Sequence, residues 1–189
     1  MDQTATGAKI PVGLALCIGV GVLLALAGCG DNKASQTPYG SADQVRTYRL
    51  QTNPLIDWVN ALEQEVQRRA VGASGQATAE NLAAVYQYAL PLLQDARDSF
   101  DRVDPPPGLA ALHGEMRQVM SLRLSAYQAV LEGWALQQEQ GQNTQSDALY
   151  QQAEAQLAQA NTLIAGVNQE LKKVDLALGE AEGKNPVVS

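Results

Sequence analysis

The sequence contains few of the residues that catalytic and metal centres most often use. Its 189 residues include one histidine, His113, and two cysteines, Cys17 and Cys29, which lie in or directly after an apolar segment near the N-terminus. Nucleophilic serine or cysteine systems need a base, and zinc sites need several Cys or His ligands. Because the chain beyond residue 29 offers a single imidazole and no further thiol, we predict a non-enzymatic protein. We expect no catalytic residues, no disulfide framework and no cofactor.

Positive charge is also scarce. The chain carries 13 Lys and Arg residues against 20 Asp and Glu, for a net charge of −7 and a pI of about 4.6. Basic residues adjoin each other only in the pairs Arg68-Arg69 and Lys172-Lys173. An acidic surface repels nucleic-acid phosphates and anionic lipid headgroups. We therefore exclude nucleic acid as a partner and expect any membrane attachment to come from something other than basic side chains.

One long apolar run is present, and it lies near the N-terminus. Residues 10–27 form 18 consecutive positions without a charge, and Lys9 precedes them. This length fits a signal peptide and also a membrane-spanning helix. The residues that follow, 30–42 (GDNKASQTPYGSA), are small and polar and include a proline. Such a composition is typical of a flexible tether.

The end of the apolar run resembles the lipobox of bacterial lipoproteins. The motif is Leu26-Ala27-Gly28-Cys29, a large aliphatic residue and two small ones before the cysteine. The resemblance implies a signal peptide over residues 1–28, cleavage between Gly28 and Cys29, and diacylglycerol and palmitate-type acyl chains on Cys29. It also implies a lipid-anchored protein that faces outside the cytoplasm. Since Gly30 follows the cysteine, the resemblance favours an outer membrane in a cell that has two membranes.

The remaining chain shows helical periodicity and no strand pattern. Apolar residues recur at alternating spacings of three and four in four segments, at about 43–71, 78–103, 109–140 and 146–181. The connections are short and contain Gly or Pro. We predict an all-α domain over residues 43–182, an antiparallel four-helix bundle with up-down-up-down order, and a disordered tail over 183–189. Residues 29–42 would be the lipidated cysteine and its tether.

Two prolines fall inside these predicted helices. Asn53-Pro54 lies within the first segment, where the apolar phase continues through it, so the pattern predicts either a kink or a collinear break. Pro91 lies in the middle of the second segment and is expected to bend it.

One group of residues suggests a possible ligand site. His113, Met116 and Met120 share a face of the third segment, and apart from Met1 they are the only His and Met residues of the chain. Imidazole and thioether groups are ligands for Cu(I) or a haem iron. The other interpretation is ordinary core packing by the methionines, with His113 partly exposed near the helix start. The surrounding stretch 103–120 (VDPPPGLAALHGEMRQVM) resembles a segment of uncharacterised bacterial lipoproteins and secreted helical proteins, which implies a helical fold.

Three functions remain open at this stage. The leading prediction is an envelope lipoprotein whose bundle binds another protein or acts as a spacer. The alternative is a bundle that binds a small molecule, haem or Cu(I) through His113, Met116 and Met120. A third is a ligand-sensing domain that relays a signal through a partner. Three aromatic residues are candidates either for an exposed groove or for the core: Trp58, Tyr88 and Trp134.

Overall fold

The computed structural model describes residues 36–71 and 77–179. These residues fold into four long helices, α1 (Ala42–Val71), α2 (Ala79–Phe100), α3 (Ala110–Gln140) and α4 (Thr144–Ala177). The prediction of an all-α bundle is therefore confirmed for this part of the chain. No helix within the described ranges combines the length and the apolar character that crossing a bilayer requires. The predicted signal peptide, Cys29 and the predicted tail over 183–189 lie outside the described residues.

Helix α1 runs without interruption through Pro54, so of the two predicted outcomes, a kink or a collinear break, the break is absent. A proline cannot donate a hydrogen bond to the carbonyl four residues before it. Pro54 and Leu50, whose carbonyl loses that donor, both lie on the exposed face of α1. Pro91 and Gln87 have the same relation on the exposed face of α2. In both helices water can replace the missing donor, which explains why the helix continues.

Polar side chains cap the starts of α2 and α4. The Thr78 hydroxyl accepts a hydrogen bond from the backbone N–H of Asn81. Asn143 accepts hydrogen bonds from the backbone N–H groups of Gln145 and Ser146, and Ser146 in turn accepts one from the N–H of Asn143. This reciprocal pair satisfies amide groups that a helix start leaves unpaired. It begins α4 two residues before the predicted start at Ser146.

Residues 36–41 correct the sequence-based prediction of a tether without strands. Strand β1 (Gln36–Thr37) pairs antiparallel with strand β2 (Gly40–Ser41), and the Thr37 hydroxyl donates to the carbonyl of Gly40 at 2.9 Å. Gly40 has φ of +130°, a conformation that glycine adopts without steric cost. The two strands are too short to produce a recognisable alternation in the sequence. Any tether therefore ends before residue 36.

The hairpin is fixed to the bundle through Tyr39. Its hydroxyl donates to Oε1 of Glu170 on α4 at 2.8 Å. Its backbone lies directly against Gly108, in the 3-10 turn (Pro107–Leu109) that precedes α3. The hairpin thus joins the start of α3 to the later part of α4.

The closest packing in the bundle is between α3 and α4, followed by α2 with α3 and α1 with α2. Small residues allow this approach: Ala153 and Ala160 on α4 are fully buried, and Gly133 on α3 lies against the ring of Tyr150. The backbone of α1 comes close to α2 but hardly approaches α3 or α4. Side chains must therefore bridge α1 to those two helices.

We predict that Gly108→Ala destabilises the fold by about 1–3 kcal/mol, the cost of forcing extra atoms into a packed site. A Cβ atom at position 108 would lie 2.6 Å from Cα and 2.7 Å from the carbonyl oxygen of Tyr39. Urea unfolding followed by circular dichroism measures the change.

Gly114→Ala is the matched control for this substitution. Gly114 lies inside α3, where an added Cβ meets no atom within 4 Å. The control is expected to stabilise the protein by about 0.5–1 kcal/mol, because alanine is the better helix former. Equal effects of the two substitutions would contradict the contact between Tyr39 and Gly108.

Candidate functional site

His113 lies in a buried aromatic pocket at one end of the bundle. Its side chain is 6 % exposed, and its ring stacks on Phe100 with centroids 4.3 Å apart and an interplanar angle of 14°. Nδ1 lies 3.2 Å from the hydroxyl of Tyr48 on α1. With the ring neutral and protonated on Nε2, the Tyr48 hydroxyl donates to Nδ1. One face of the expected metal ligand is therefore covered by Phe100 and its Nδ1 is engaged by Tyr48, and the prediction of a partly exposed His113 is wrong.

The electrostatic surroundings of His113 keep it neutral. Burial lowers its pKa below the ordinary 6.5, and the positive charge of Arg117 acts in the same direction. Asp101 and Asp104 act in the opposite direction but do not cancel the effect. Burial also raises the pKa of Tyr48, so its hydroxyl retains the proton that it donates.

Met116 and Met120 line an apolar crevice of about 30 Å³ between the helices, and His113 is not part of its lining. The lining is completed by residues of all four helices: Leu55, Ile56 and Val59 of α1, Phe100 of α2, Val119 of α3 and Val167 of α4. The structure thus brings the two methionines together, while the His113 ring is turned toward Tyr48.

The size of the crevice limits what it can hold. By the same measure, one water molecule needs roughly 10–15 Å³, so the crevice has room for about two. Sites for drug-sized ligands are roughly ten times larger or more. A haem does not fit the crevice in this state. No group of three or more His, Cys, Asp or Glu side chains in the described ranges is arranged to hold a metal ion.

A buried charged cluster joins α1 to α3. Glu63 of α1 is 6 % exposed and its Oε1 lies 2.8 Å from Nη1 of Arg123, which is 3 % exposed. Oε1 also accepts a hydrogen bond from the hydroxyl of Tyr127 at 2.8 Å. Tyr86 of α2 stacks on Tyr127 with centroids 3.9 Å apart. We call Glu63, Arg123 and Tyr127 the Glu63 cluster.

The tyrosines of this region are held in their protonated form. Burial and the negative charge of Glu63 raise the pKa of Tyr86 to about 12 and raise that of Tyr127 further. Tyr127 therefore acts as a hydrogen-bond donor to Glu63 at any physiological pH, which offsets part of the cost of burying the carboxylate.

A second buried ion pair joins α1 to α4. Nη2 of Arg49 lies 3.1 Å from Oδ1 of Asp175, and the two side chains are 7 % and 1 % exposed. This pair and the Glu63 cluster lie on either side of the apolar crevice along α1. Arg49 precedes the lining residues Leu55 and Ile56, and Glu63 follows the lining residue Val59.

The buried pairing of Arg49 and Glu63 was not predicted from the sequence, although a signal was present. In α1 the positions 45, 49, 52, 56, 59, 63, 66 and 70 form a continuous seam at alternating spacings of four and three, and all of them are buried. Arg49 and Glu63 occupy two positions of that seam. A charged residue in a seam position requires a buried partner, and this requirement predicts ion pairs between helices.

The three aromatic candidates differ in how far they are exposed. Trp58 is 40 % exposed and Tyr88 is 44 % exposed, while Trp134 is partly buried. The guanidinium of Arg69 lies 4.6 Å from the centre of the Tyr88 ring, a cation–π contact that covers this side chain.

Comparisons with protein-family models, with curated proteins and with solved structures found no match to this chain. The function therefore has to be argued from the residues and their geometry.

We predict that the free energy of unfolding falls as the pH decreases from 7 to 5. Since the folded state lowers the pKa of His113 below 6.5, the unfolded chain takes up the proton first, and stability is lost as the pH passes below about 6.5. The loss cannot exceed about 1.4 kcal/mol per pH unit for one group. Urea unfolding at several pH values measures it.

His113→Gln is the variant that isolates this effect, because the chain has no other histidine. Glutamine keeps a polar group near Tyr48 but does not titrate. The variant is expected to be less stable at pH 7 and to show a flatter dependence between pH 7 and 5. A dependence as steep as that of the wild type would refute a buried neutral His113.

Proposed function

We propose that this protein is an exported lipoprotein, anchored to a membrane through Cys29 and facing outside the cytoplasm, with an outer membrane favoured where the cell has two. The observation that carries the proposal is the lipobox Leu26-Ala27-Gly28-Cys29 directly after 18 uncharged residues. The first described strand begins at Gln36. Seven residues span at most about 25 Å, so the bundle would stand close to the lipid surface.

The directions of the helices belong to the same proposal, as an up-down-up-down arrangement. A connection of only three residues, 141–143, separates α3 from α4, although the two helices pack along their lengths. The Tyr150 hydroxyl donates to Gln137 and its ring lies on Gly133, which supports opposite directions for α3 and α4. The other short connections favour the same alternation.

In this proposal the bundle is a non-enzymatic module that binds another envelope protein or separates one from the membrane. The polar groups inside the bundle support this role, because Glu63, Arg49 and His113 are each engaged by other side chains of the chain. Helices of 30 to 34 residues, such as α1 and α4, are about 45–50 Å long. A rigid element of this length suits a spacer or a docking surface.

The alternative function, a site for Cu(I) or haem at His113, Met116 and Met120, is less well supported. The shared crevice of Met116 and Met120 favours a pair of thioether ligands, which suits Cu(I). His113 is engaged by Tyr48 and Phe100, and the crevice is small for a haem. Binding would require the His113 ring to leave its pocket.

The lipid anchor is tested by intact mass spectrometry of the protein expressed from its full gene in a bacterium that processes lipoproteins. We expect a chain that begins at Cys29 and carries a diacylglyceryl group, recovered with membranes. Cys29→Ser should retain residues 1–28 and carry no lipid.

Cys17→Ser is the matched control, since this cysteine lies inside the apolar run and would leave with the signal peptide. It should be cleaved and lipidated like the wild type. A wild-type chain that begins at Met1 without lipid, or identical products from the wild type and Cys29→Ser, would reject the proposal.

A further inference from the structure

Helices α1 and α4 meet along a seam that lacks close backbone packing. The close backbone contacts of the bundle join α1 to α2, α2 to α3 and α3 to α4, whereas α1 hardly approaches α4. The contact of α1 with α4 therefore depends on side chains. Within the described ranges, the ion pair between these helices is formed by Arg49 of α1 and Asp175 of α4.

The crevice lies along this loosely closed seam. Ile56 of α1 and Val167 of α4 both belong to its lining. The pair Arg49–Asp175 lies seven residues before Ile56 and eight residues after Val167, which corresponds to about 10–12 Å along each helix. The ion pair thus stands at one end of the apolar opening between α1 and α4.

The ion pair itself is only partly satisfied. Nη1 of Arg49 is buried and has no hydrogen-bond partner in the described part of the chain. Nη2 makes both contacts to the carboxylate, at 3.1 Å to Oδ1 and 3.5 Å to Oδ2. Burying two charges removes their hydration, and incomplete pairing returns only part of that free energy. Water that entered the seam would therefore hydrate Arg49 Nη1, which has no hydrogen-bond partner in the closed state.

Other contacts hold α1 on the bundle. Glu63 has two partners, Arg123 and Tyr127, each at 2.8 Å, and α1 keeps its close packing with α2. The hairpin directly before α1 is fixed to α4 through Tyr39 and Glu170. These contacts would hold α1 in place while its seam with α4 opens.

We propose that the seam between α1 and α4 can open over the apolar crevice, and that the buried Arg49–Asp175 pair is the clasp that keeps it closed. Opening the clasp separates α1 from α4, admits water to both charged groups and exposes the crevice lined by Ile56 and Val167. The device gives the bundle two states that differ in exposed apolar surface.

Hydrogen exchange followed by mass spectrometry on the full chain tests the clasp. Asp175→Asn keeps the shape of the side chain but leaves Arg49 as a buried charge without its counter-ion. We expect amides of α1 between residues 50 and 60 to exchange at least tenfold faster, with a much smaller change in α3. Exchange that is unchanged, or that rises equally in all four helices, would overturn the proposal.

The double variant Arg49→Met with Asp175→Leu separates a clasp from a general loss of stability. Apolar side chains of similar size replace both charged groups, so no buried charge remains whose hydration would favour opening of the seam. Exchange in α1 is expected to return to the wild-type rate or below it. Exchange as fast as in Asp175→Asn would contradict the clasp.

Asp43→Asn provides the surface control. Asp43 pairs with Arg46 on the same helix, and both side chains are largely exposed. Its removal should leave exchange between residues 50 and 60 unchanged, because exposed pairs contribute little. A rise equal to that of Asp175→Asn would show that any lost charge on α1 has this effect, and would reject the role of the buried pair.

Discussion

The position of α1 depends on one interaction, the buried contact of Glu63 with Arg123 and Tyr127. A carboxylate that is 6 % exposed must find partners inside the bundle, and both partners lie on α3. Since α1 has little close backbone packing with α3, this contact fixes which face of α1 is turned inward and at what height along α3. The aliphatic seam alone would allow α1 to slide by a helical turn, because Val and Leu contacts are not directional. Arg123 removes that freedom, since a shift would leave two charges buried without partners.

The remaining features of the bundle follow from this constraint. With α1 fixed at Glu63, its earlier turns meet α4 through Arg49 and Asp175 and meet α3 through Tyr48 and His113. Between the two charged regions Leu55, Ile56 and Val59 of α1 line a small apolar crevice. The hairpin then closes the end of the bundle through Tyr39 and Glu170. Helices α2, α3 and α4 are joined in sequence by close backbone packing, whereas α1 meets α3 and α4 through specific polar contacts. That division suits the membrane-tethered binding element proposed above.

The sequence predicted the helices well because their information is local. Apolar spacing, the cap at Thr78 and the corner at Pro105–Pro107 determine where helices begin and end, and the observed bounds differ by a few residues. The hairpin at 36–41 was not predicted because its stability comes from contacts between residues far apart in sequence. Its Tyr39 contacts Glu170 of α4 and Gly108 before α3. The candidate site at His113 was predicted from residue type alone. Phe100, which stacks on the His113 ring, and Tyr48, which contacts its Nδ1, come from other helices. The burial of Arg49 and Glu63 was not predicted, because a charged residue beside an apolar stripe of a helix can also face solvent. Only the continuous seam through positions 49 and 63 distinguishes the two cases.

A double-mutant cycle on Glu63 and Arg123 tests most directly whether polar pairing positions α1. Glu63→Gln, Arg123→Met and the double variant are compared by urea unfolding of the same chain. Each single substitution is expected to cost about 3–5 kcal/mol, because it leaves the other charge buried without its counter-ion. The double variant should cost at least about 2 kcal/mol less than the sum of the single variants, the size of coupling found between interacting residues. Additive costs would contradict this account and would mean that α1 is positioned by its apolar seam alone.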